Sequence, residues 1–344
     1  MTTAAPLLPS GLMDVLPPFA AAEFRLIQRF MKCFLGFGYQ PVIPPLAEYA
    51  ETILAGQGEA TSHHVLRLAD PLSTHMLGLR ADMTGQIARI AGTTLASAPR
   101  PLRLCYAGYT MRAAPEALQT RRQHTQVGIE RFGGMETQAV AEILAIAVHA
   151  LDVAGVHGVT VDLNYPSVMA ALLEDFSPAT HPALRDAARL KDTAQLRALG
   201  APAMAEMIEA SGDAATALER LSKIQHPAMG TPVAQLRALV QALAAQEVAA
   251  TLTVDMLDLS GYGYYCGIGY ALYWNQAALE VGRGGCYKAS AGEEAVGFTL
   301  YINDVLDQLP AEKTAPVRVI PYGTPAREAA RLQTEGYVTL FGEK

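Results

Sequence analysis

Cysteine is scarce in this sequence, and its placement argues against several kinds of site. The four cysteines are Cys33, Cys105, Cys266 and Cys286, and no two of them form a CxxC pair. Structural zinc sites and thioredoxin-like redox sites depend on such closely spaced pairs. We therefore expect reduced thiols in or near the core of a cytoplasmic protein, with no metal site and no other cofactor.

Long apolar segments are missing as well. The longest apolar runs are short or interrupted by charge, so the sequence predicts no membrane-spanning helix. The N-terminal residues MTTAAPLLPSGLMDVLPP lack the basic segment and apolar core of a secretory signal. An excess of positive charge is also absent, since the formal net charge is −7, and this argues against extensive binding to a polyanion.

The composition is that of a globular protein with a substantial core. Hydrophobic residues make up 51% of the 344-residue chain and charged residues 17%, so we do not expect a disordered chain. The length exceeds that of most single domains. The sequence thus predicts one large domain with an insertion or an appended segment.

The stretch from Cys105 to Gly134 has the pattern of a β-hairpin. Within it, Gln126, Gly128 and Glu130 alternate with apolar residues, and this two-residue period predicts that the three share one face of a strand. With Arg112 from the preceding strand, that face would carry an amide, a carboxylate and a guanidinium, which can orient a small zwitterion. Taken alone, the stretch also fits a surface hairpin with ordinary solvated residues.

Three further segments bear on the organisation of the chain. Residues 166–250 are rich in Ala, Leu and Glu and poor in β-branched runs, which predicts a helical insertion. The glycine spacing of SGYGYYCGIGY at 260–270 suggests a dinucleotide-binding loop, but its aromatic continuation favours a strand, so we reject that interpretation. Residues 311–344 have a strand, helix, strand pattern and are too few for an independent domain.

The N-terminal motifs resemble those of the class II aminoacyl-tRNA synthetases, in particular the histidyl branch. GLMDVLPP, an amphipathic helix at Ala20–Phe37 with Phe24, Phe30 and Phe34 on its apolar face, and then GYQPVIPPLAEY are similar to the N-terminus and motif 1 of that family. There motif 1, with a proline that matches Pro45, lies at a homodimer interface. The resemblance implies a homodimer formed through motif 1 and an α+β fold, with an antiparallel sheet flanked by helices.

The same resemblance implies a binding site for histidine. LRADMTGQIAR is similar to the family's loop that holds the amino group of histidine, and two residues of motif 2 match side chains that contact bound histidine. A tyrosine pair also matches the pair beside the family's imidazole pocket, and one arginine matches that of motif 2. The residues so implied are Asp82, Thr84, Arg112, Gln126, Glu130, Tyr264 and Tyr265.

Positions that the family uses for ATP chemistry differ in this chain. Ser260 replaces the arginine of the histidyl motif Arg-Gly-Leu-Asp-Tyr-Tyr, Asp304 replaces the motif 3 arginine, and Ala114 replaces a motif 2 glutamate. Amino-acid activation needs fixed cations beside the α-phosphate of ATP, and the loss of one such donor commonly costs about 10²- to 10³-fold in rate. We therefore expect that synthetase activity is lost while the amino-acid pocket remains.

A histidyl-synthetase core without these arginines, and without room for an anticodon-binding domain after Pro310, resembles the regulatory subunits of ATP phosphoribosyltransferase. The resemblance implies a core at 1–165 and 251–310, a helical insertion at 166–250 and a short C-terminal β-α-β tail at 311–344. It also implies a hetero-oligomer with the short-form catalytic subunit, a role in the first step of histidine biosynthesis, feedback inhibition by L-histidine, and no binding of tRNA.

Two other functions remain open on the sequence. The chain could be a divergent enzyme that adenylates an amino acid, with Arg112, Arg122 or Arg283 as substitute cations. The carboxylate of Asp304 argues against this, because it would repel the phosphates of ATP. The chain could also be a dimeric scaffold with an empty pocket.

Overall fold

The structure of the protein is a computed structural model. It describes residues 8–55, 64–114, 121–259, 262–289, 292–310 and 315–343. Contacts between Cα atoms divide the chain into two compact units, Met1–Gln308 and Leu309–Lys344.

Most strands of the first unit belong to one large sheet. The strands of the described residues are β1 (Gln40–Pro41), β2 (Ala47–Tyr49), β3 (Arg67–Ala69), β4 (Met76–Leu79), β5 (Leu102–Met111), β6 (Gln123–Phe132), β7 (Val159–Asn164), β8 (Gly212–Asp213), β9 (Ala250–Val254), β10 (Tyr265–Trp274), β11 (Leu279–Lys288), β12 (Glu294–Tyr301), β13 (Val317–Ile320) and β14 (Val338–Phe341). The large sheet has the order β1-β5-β6-β12-β11-β10-β7-β9-β8, and β2, β4 and β3 form a small separate sheet.

The predicted α+β class is confirmed, although the sheet is mixed. Every neighbouring pair from β5 through β6, β12, β11 and β10 to β7 is antiparallel. The pairs β1 with β5 and β7 with β9 are parallel. The two parallel pairs lie towards opposite ends of the sheet, so the predicted antiparallel arrangement holds for its central strands.

Helices flank this sheet and form most of the segment that follows β7. The α-helices of the described residues are α1 (Phe19–Gly36), α2 (Ala50–Leu54), α3 (Thr84–Gly92), α4 (Thr137–Val153), α5 (Ser167–Leu173), α6 (His181–Arg189), α7 (Thr193–Ala198), α8 (Pro202–Ala210), α9 (Ala214–Leu221), α10 (Gly230–Ala245), α11 (Ile302–Gln308) and α12 (Ala326–Thr334). Among these residues, no helix is both long enough and apolar enough to cross a membrane.

The predicted helix near the N-terminus is present as α1, but its buried face differs from the prediction. Phe24 is 63% exposed, whereas Phe30 and Phe34 are fully buried. Glu23 is also buried, and its Oε1 accepts a hydrogen bond from the Thr125 hydroxyl at 2.5 Å. The prediction that Phe24 faces the core is therefore wrong, because the helix turns the preceding residue, Glu23, towards β6 and leaves this ring outside.

The predicted hairpin between Cys105 and Gly134 is present as β5 and β6. Every residue of β6 after Gln123 is buried, because β6 lies between β5 and β12 and is contacted by α1, α3 and α11. The alternative of a surface hairpin is therefore wrong. Polar side chains on this strand must find partners inside the protein.

The glycine-rich segment EVGRGGCY at 280–287 lies inside strand β11 and does not form a turn. A Cβ atom on Gly284 would overlap the carbonyl oxygen of Gly297 and lie 2.6 Å from the Tyr270 hydroxyl oxygen. Tyr270 donates that hydroxyl to the same carbonyl at 2.9 Å. Glycine is thus required at position 284 because the Tyr270 side chain crosses β11 there to reach the Gly297 carbonyl.

The segment 166–250 is mainly helical and belongs to the first unit by its contacts. The boundaries of this segment at residues 166 and 250 stay a prediction. In the second unit, β13 and β14 pair in parallel and α12 connects them, as the strand, helix, strand pattern predicted.

Gly284→Ala is expected to lower the free energy of unfolding by about 1–3 kcal/mol or more, because the added methyl group overpacks the contact with Gly297 and Tyr270. Gly36→Ala is the matched control, since a Cβ atom at this end of α1 meets nothing within 4 Å. Urea denaturation of both variants measures the difference. Equal stability of the two would contradict this account of β11.

Candidate functional site

A buried carboxyl group lies at the centre of the large sheet. Glu130 on β6 is 1% exposed, and its Oε2 accepts a hydrogen bond from the Tyr287 hydroxyl at 2.9 Å. On the neighbouring strand β12, Gly297 is the partner of Glu130 in the register. A Cβ atom on Gly297 would lie 2.5 Å from the carboxyl carbon of Glu130. The glycine therefore provides the space that this carboxyl group occupies.

Burial changes the acidity of this group. Loss of solvent raises the pKa of Glu130 to about 8, and the nearby negative charge of Asp82 adds to the rise. Hydrogen bonds from Tyr287 and Thr84 favour the charged form and lower the same pKa in part. The raised pKa favours the protonated carboxyl group near neutral pH, and a ligand with its own positive charge would favour the carboxylate.

A loop before α3 is tied to β6 beside this carboxyl group. Asp82 Oδ1 accepts a hydrogen bond from the Thr84 backbone N–H at 2.8 Å, and Asp82 Oδ2 accepts one from Gln126 Nε2 at 3.2 Å. Gln126 Oε1 accepts one from the Met83 backbone N–H at 3.2 Å. These bonds hold the carboxylate of Asp82 against the amide of Gln126, which shares a face of β6 with Glu130, as the alternation in β6 predicted.

Aromatic rings border the same space. The rings of Tyr264 and Tyr287 stack with centroids 5.2 Å apart, and Tyr264 meets Tyr265 edge to face at 5.2 Å. The Tyr106 hydroxyl lies 2.7 Å from Thr299 Oγ1. The structure thus places the predicted tyrosine pair at the site.

Three residues at this site were not predicted from the sequence: Tyr106, Tyr287 and Thr299. Tyr106 pairs with Gly128 in the register of β5 and β6. A Cβ atom on Gly128 would lie 2.6 Å from Tyr106 Cζ. The glycine between the polar residues of β6 was the available signal, because it leaves room for a large side chain from the next strand.

Two arginines, Arg112 and Arg283, influence the acidity of Tyr301 at the end of β12. Burial raises the pKa of the Tyr301 hydroxyl, and the positive charges of Arg283 and Arg112 oppose that shift. Tyr301 is the partner of Gln126 in the register of β12 and β6. Arg112 is held through its backbone, whose N–H donates to the Arg122 carbonyl at 2.8 Å.

This chain departs from the synthetase motifs at three positions, Ser260, Asp304 and Ala114, which lie in different surroundings. Ser260 lies outside the described residues. Asp304 lies in the first turn of α11, where a negative charge is favoured by the helix dipole. Ala114 is exposed. Within the described part of the chain, no group of three or more His, Cys, Asp or Glu side chains could hold a metal ion.

Glu130→Gln is expected to make stability less dependent on pH. The folded state holds the Glu130 proton up to a pKa of about 8, while the unfolded chain releases it near a pKa of about 4.3. Between these values the folded state binds more protons, so the wild-type free energy of unfolding falls as pH rises. The fall is about 1.4 kcal/mol for each pKa unit that separates the two states.

Urea denaturation across this pH range, without added ligand, measures the effect. Glu219→Gln is the matched control, because Glu219 is exposed on α9, and it should keep the wild-type slope. A slope that is unchanged in Glu130→Gln would contradict the raised pKa of Glu130.

Comparison with known proteins identifies the family. The family model for histidyl-tRNA synthetase matches residues 11–305. The ATP phosphoribosyltransferase regulatory subunit of Rhodospirillum centenum is 40% identical over 341 residues, which cover 97% of this chain and 88% of that protein.

Two solved structures share the fold. An ATP phosphoribosyltransferase regulatory subunit/histidyl-tRNA synthetase from Bacillus halodurans has a TM-score of 0.86 at 21% identity, with 99% of this chain and 94% of that chain covered. The ATP phosphoribosyl transferase (HisG:HisZ) complex from Thermotoga maritima has a TM-score of 0.64 at 18% identity, with 81% and 97% covered. From the matched model and the 40% identity, the chain belongs to the histidyl-tRNA synthetase family, among the regulatory subunits of ATP phosphoribosyltransferase.

Proposed function

We propose that the chain regulates a short-form ATP phosphoribosyltransferase catalytic subunit by binding L-histidine around Glu130. The observation that carries this proposal is a buried carboxyl group held beside a second carboxylate, with tyrosine rings around both. The regulatory role accords with the name of the relative that is 40% identical. Feedback inhibition of the first step of histidine biosynthesis is the expected outcome.

The chemistry of the site matches the three polar parts of histidine. Glu130 can accept a hydrogen bond from an imidazole N–H, and Asp82 can accept one from the ammonium group. Arg112, whose positive charge acts on Tyr301, can pair with the ligand's carboxylate. The stacked ring of Tyr264 offers an apolar surface to the imidazole.

The alternative of an adenylating enzyme has less support. The guanidinium of Arg283 pairs with both oxygens of Glu280 at 2.7 and 2.8 Å, so its charge is already compensated. Arg122 donates to the backbone carbonyls of Arg112 and Ser10. Asp304 places a negative charge where the related synthetases have a motif 3 arginine. We therefore propose that the chain does not activate amino acids and, given its net charge of −7, binds no tRNA.

A related complex supports the proposed partner, and the cysteines support the proposed location in the cell. The related Thermotoga maritima structure is a HisG:HisZ complex, and this supports a hetero-oligomer with the catalytic subunit here. All four cysteines are free thiols, which suits the reducing cytoplasm that we propose as the location.

We also propose a homodimer formed through motif 1. Large apolar side chains are exposed along α1 and the segment after it: Phe19, Phe24, Leu35, Phe37, Ile43 and Leu46. Ile43 is 93% exposed and follows edge strand β1. Such a concentration of exposed apolar surface is typical of an interface between protein chains.

Glu130→Gln is expected to raise the histidine concentration that half-inhibits the assembled enzyme by about tenfold or more. The reason is the loss of a buried, charged acceptor, worth about 1.5–3 kcal/mol, where about 1.4 kcal/mol corresponds to tenfold. Assays of ATP phosphoribosyltransferase activity with the catalytic subunit measure this, and Glu219→Gln is the matched control. Full activation with unchanged histidine sensitivity in Glu130→Gln would instead support a scaffold with an empty pocket.

Ile43→Asp is expected to convert the homodimer into a monomer, because a charge would be buried in the interface. Leu190→Asp is the matched control, since Leu190 is also exposed, at 66%, but follows α6 far along the chain. Analytical ultracentrifugation of both variants without the catalytic subunit measures the mass. A dimer that survives Ile43→Asp would place the interface elsewhere.

A further inference from the structure

A groove of about 770 Å³ lies on the helical segment, and the site around Glu130 contributes nothing to it. Its walls are the end of α9, the 3₁₀ turn Pro227–Met229 and one side of α10. The floor is apolar and buried, with Leu221, Met229 and Val233 each at most 6% exposed. The histidine site does not account for such an opening.

The shape of the groove matches a helix. Its lining residues on α10 extend from Gly230 to Gln241, a length of about 16 Å at about 1.5 Å per residue, or about three turns. Ala234 and Ala238 line it one turn apart and are both exposed. Small side chains at this spacing let a second helix approach α10 closely.

The charge of the groove is unusual for this acidic chain. Between Glu219 and Glu247 the sequence has no Asp or Glu, although the whole chain carries a net charge of −7. Arg237 lines the groove, and its Nη2 donates to the Leu218 carbonyl at 3.3 Å, which orients the guanidinium without neutralising its charge.

One carboxylate from outside this stretch approaches the groove. His226 also lines it, and its Nε2 lies 2.9 Å from Asp175 Oδ2. Among the described residues that line the groove, Arg237 is therefore the one with a permanent charge, and that charge is positive.

We propose that this groove receives an acidic amphipathic helix of the ATP phosphoribosyltransferase catalytic subunit, an assignment that rests on the proposed function. The apolar face of that helix covers Val233 and its neighbours on the floor, and its carboxylates face Arg237. Binding of an amphipathic helix in an apolar groove is a common mode of recognition. The groove is thus a contact surface between the two kinds of subunit.

Ala238→Glu and Arg237→Glu test this surface. The first fills the groove with a negative side chain, and the second reverses the charge that faces the partner. Each is expected to weaken binding of the purified short-form catalytic subunit by about tenfold or more, measured by calorimetry at low salt. Ala244→Glu is the matched control, because Ala244 is exposed on α10 outside the groove, and it should bind within about twofold of wild type.

Thermal unfolding of each variant shows whether the fold is kept, and Arg237→Gln serves as the milder change if Arg237→Glu unfolds. Wild-type affinity for folded Ala238→Glu and Arg237→Gln would overturn the groove assignment and leave the proposed function intact. Failure of the wild-type chain to bind the catalytic subunit would overturn both. Normal subunit binding with loss of ATP binding in the variants would make the groove a small-molecule site and overturn the proposal.

Discussion

The desolvated carboxyl group of Glu130 is the constraint on which the site depends. A carboxylate that is 1% exposed must be protonated or paired, because burial of an isolated charge is very costly. Tyr287 supplies one hydrogen bond, Gly297 leaves space for the carboxyl group, and Gly128 leaves space for the ring of Tyr106 beside it. Glycines on β6 and β12 thus leave space for polar side chains inside the sheet. That arrangement suits a cationic or hydrogen-bond-donating ligand better than an empty core.

The side chains that would have to contact ATP differ from those of the related synthetases. Amino-acid activation depends on cations that remain available to the phosphates of ATP. Here Arg283 is compensated by Glu280, and Asp304 stabilises the start of α11 where an arginine would serve the nucleotide. The proposed histidine contacts, together with these differences at the nucleotide positions, are those expected of a protein that binds histidine without activating it.

Local patterns predicted the parts of the fold that depend on neighbouring residues. The alternation in β6 and the presence of the amphipathic helix α1 follow from periods of two and about four residues. Long-range partners were beyond such patterns, since the bond between Tyr287 and Glu130 joins residues 157 positions apart. The exposure of Phe24 was missed because a hydrogen bond from the Thr125 hydroxyl holds the preceding residue, Glu23, inside the protein.

A crystal structure of the protein with bound L-histidine tests the central claim most directly. The account predicts an imidazole nitrogen within hydrogen-bond distance of a Glu130 carboxyl oxygen and an ammonium group beside Asp82. Histidine bound elsewhere, with the surroundings of Glu130 unchanged from the empty protein, would contradict it.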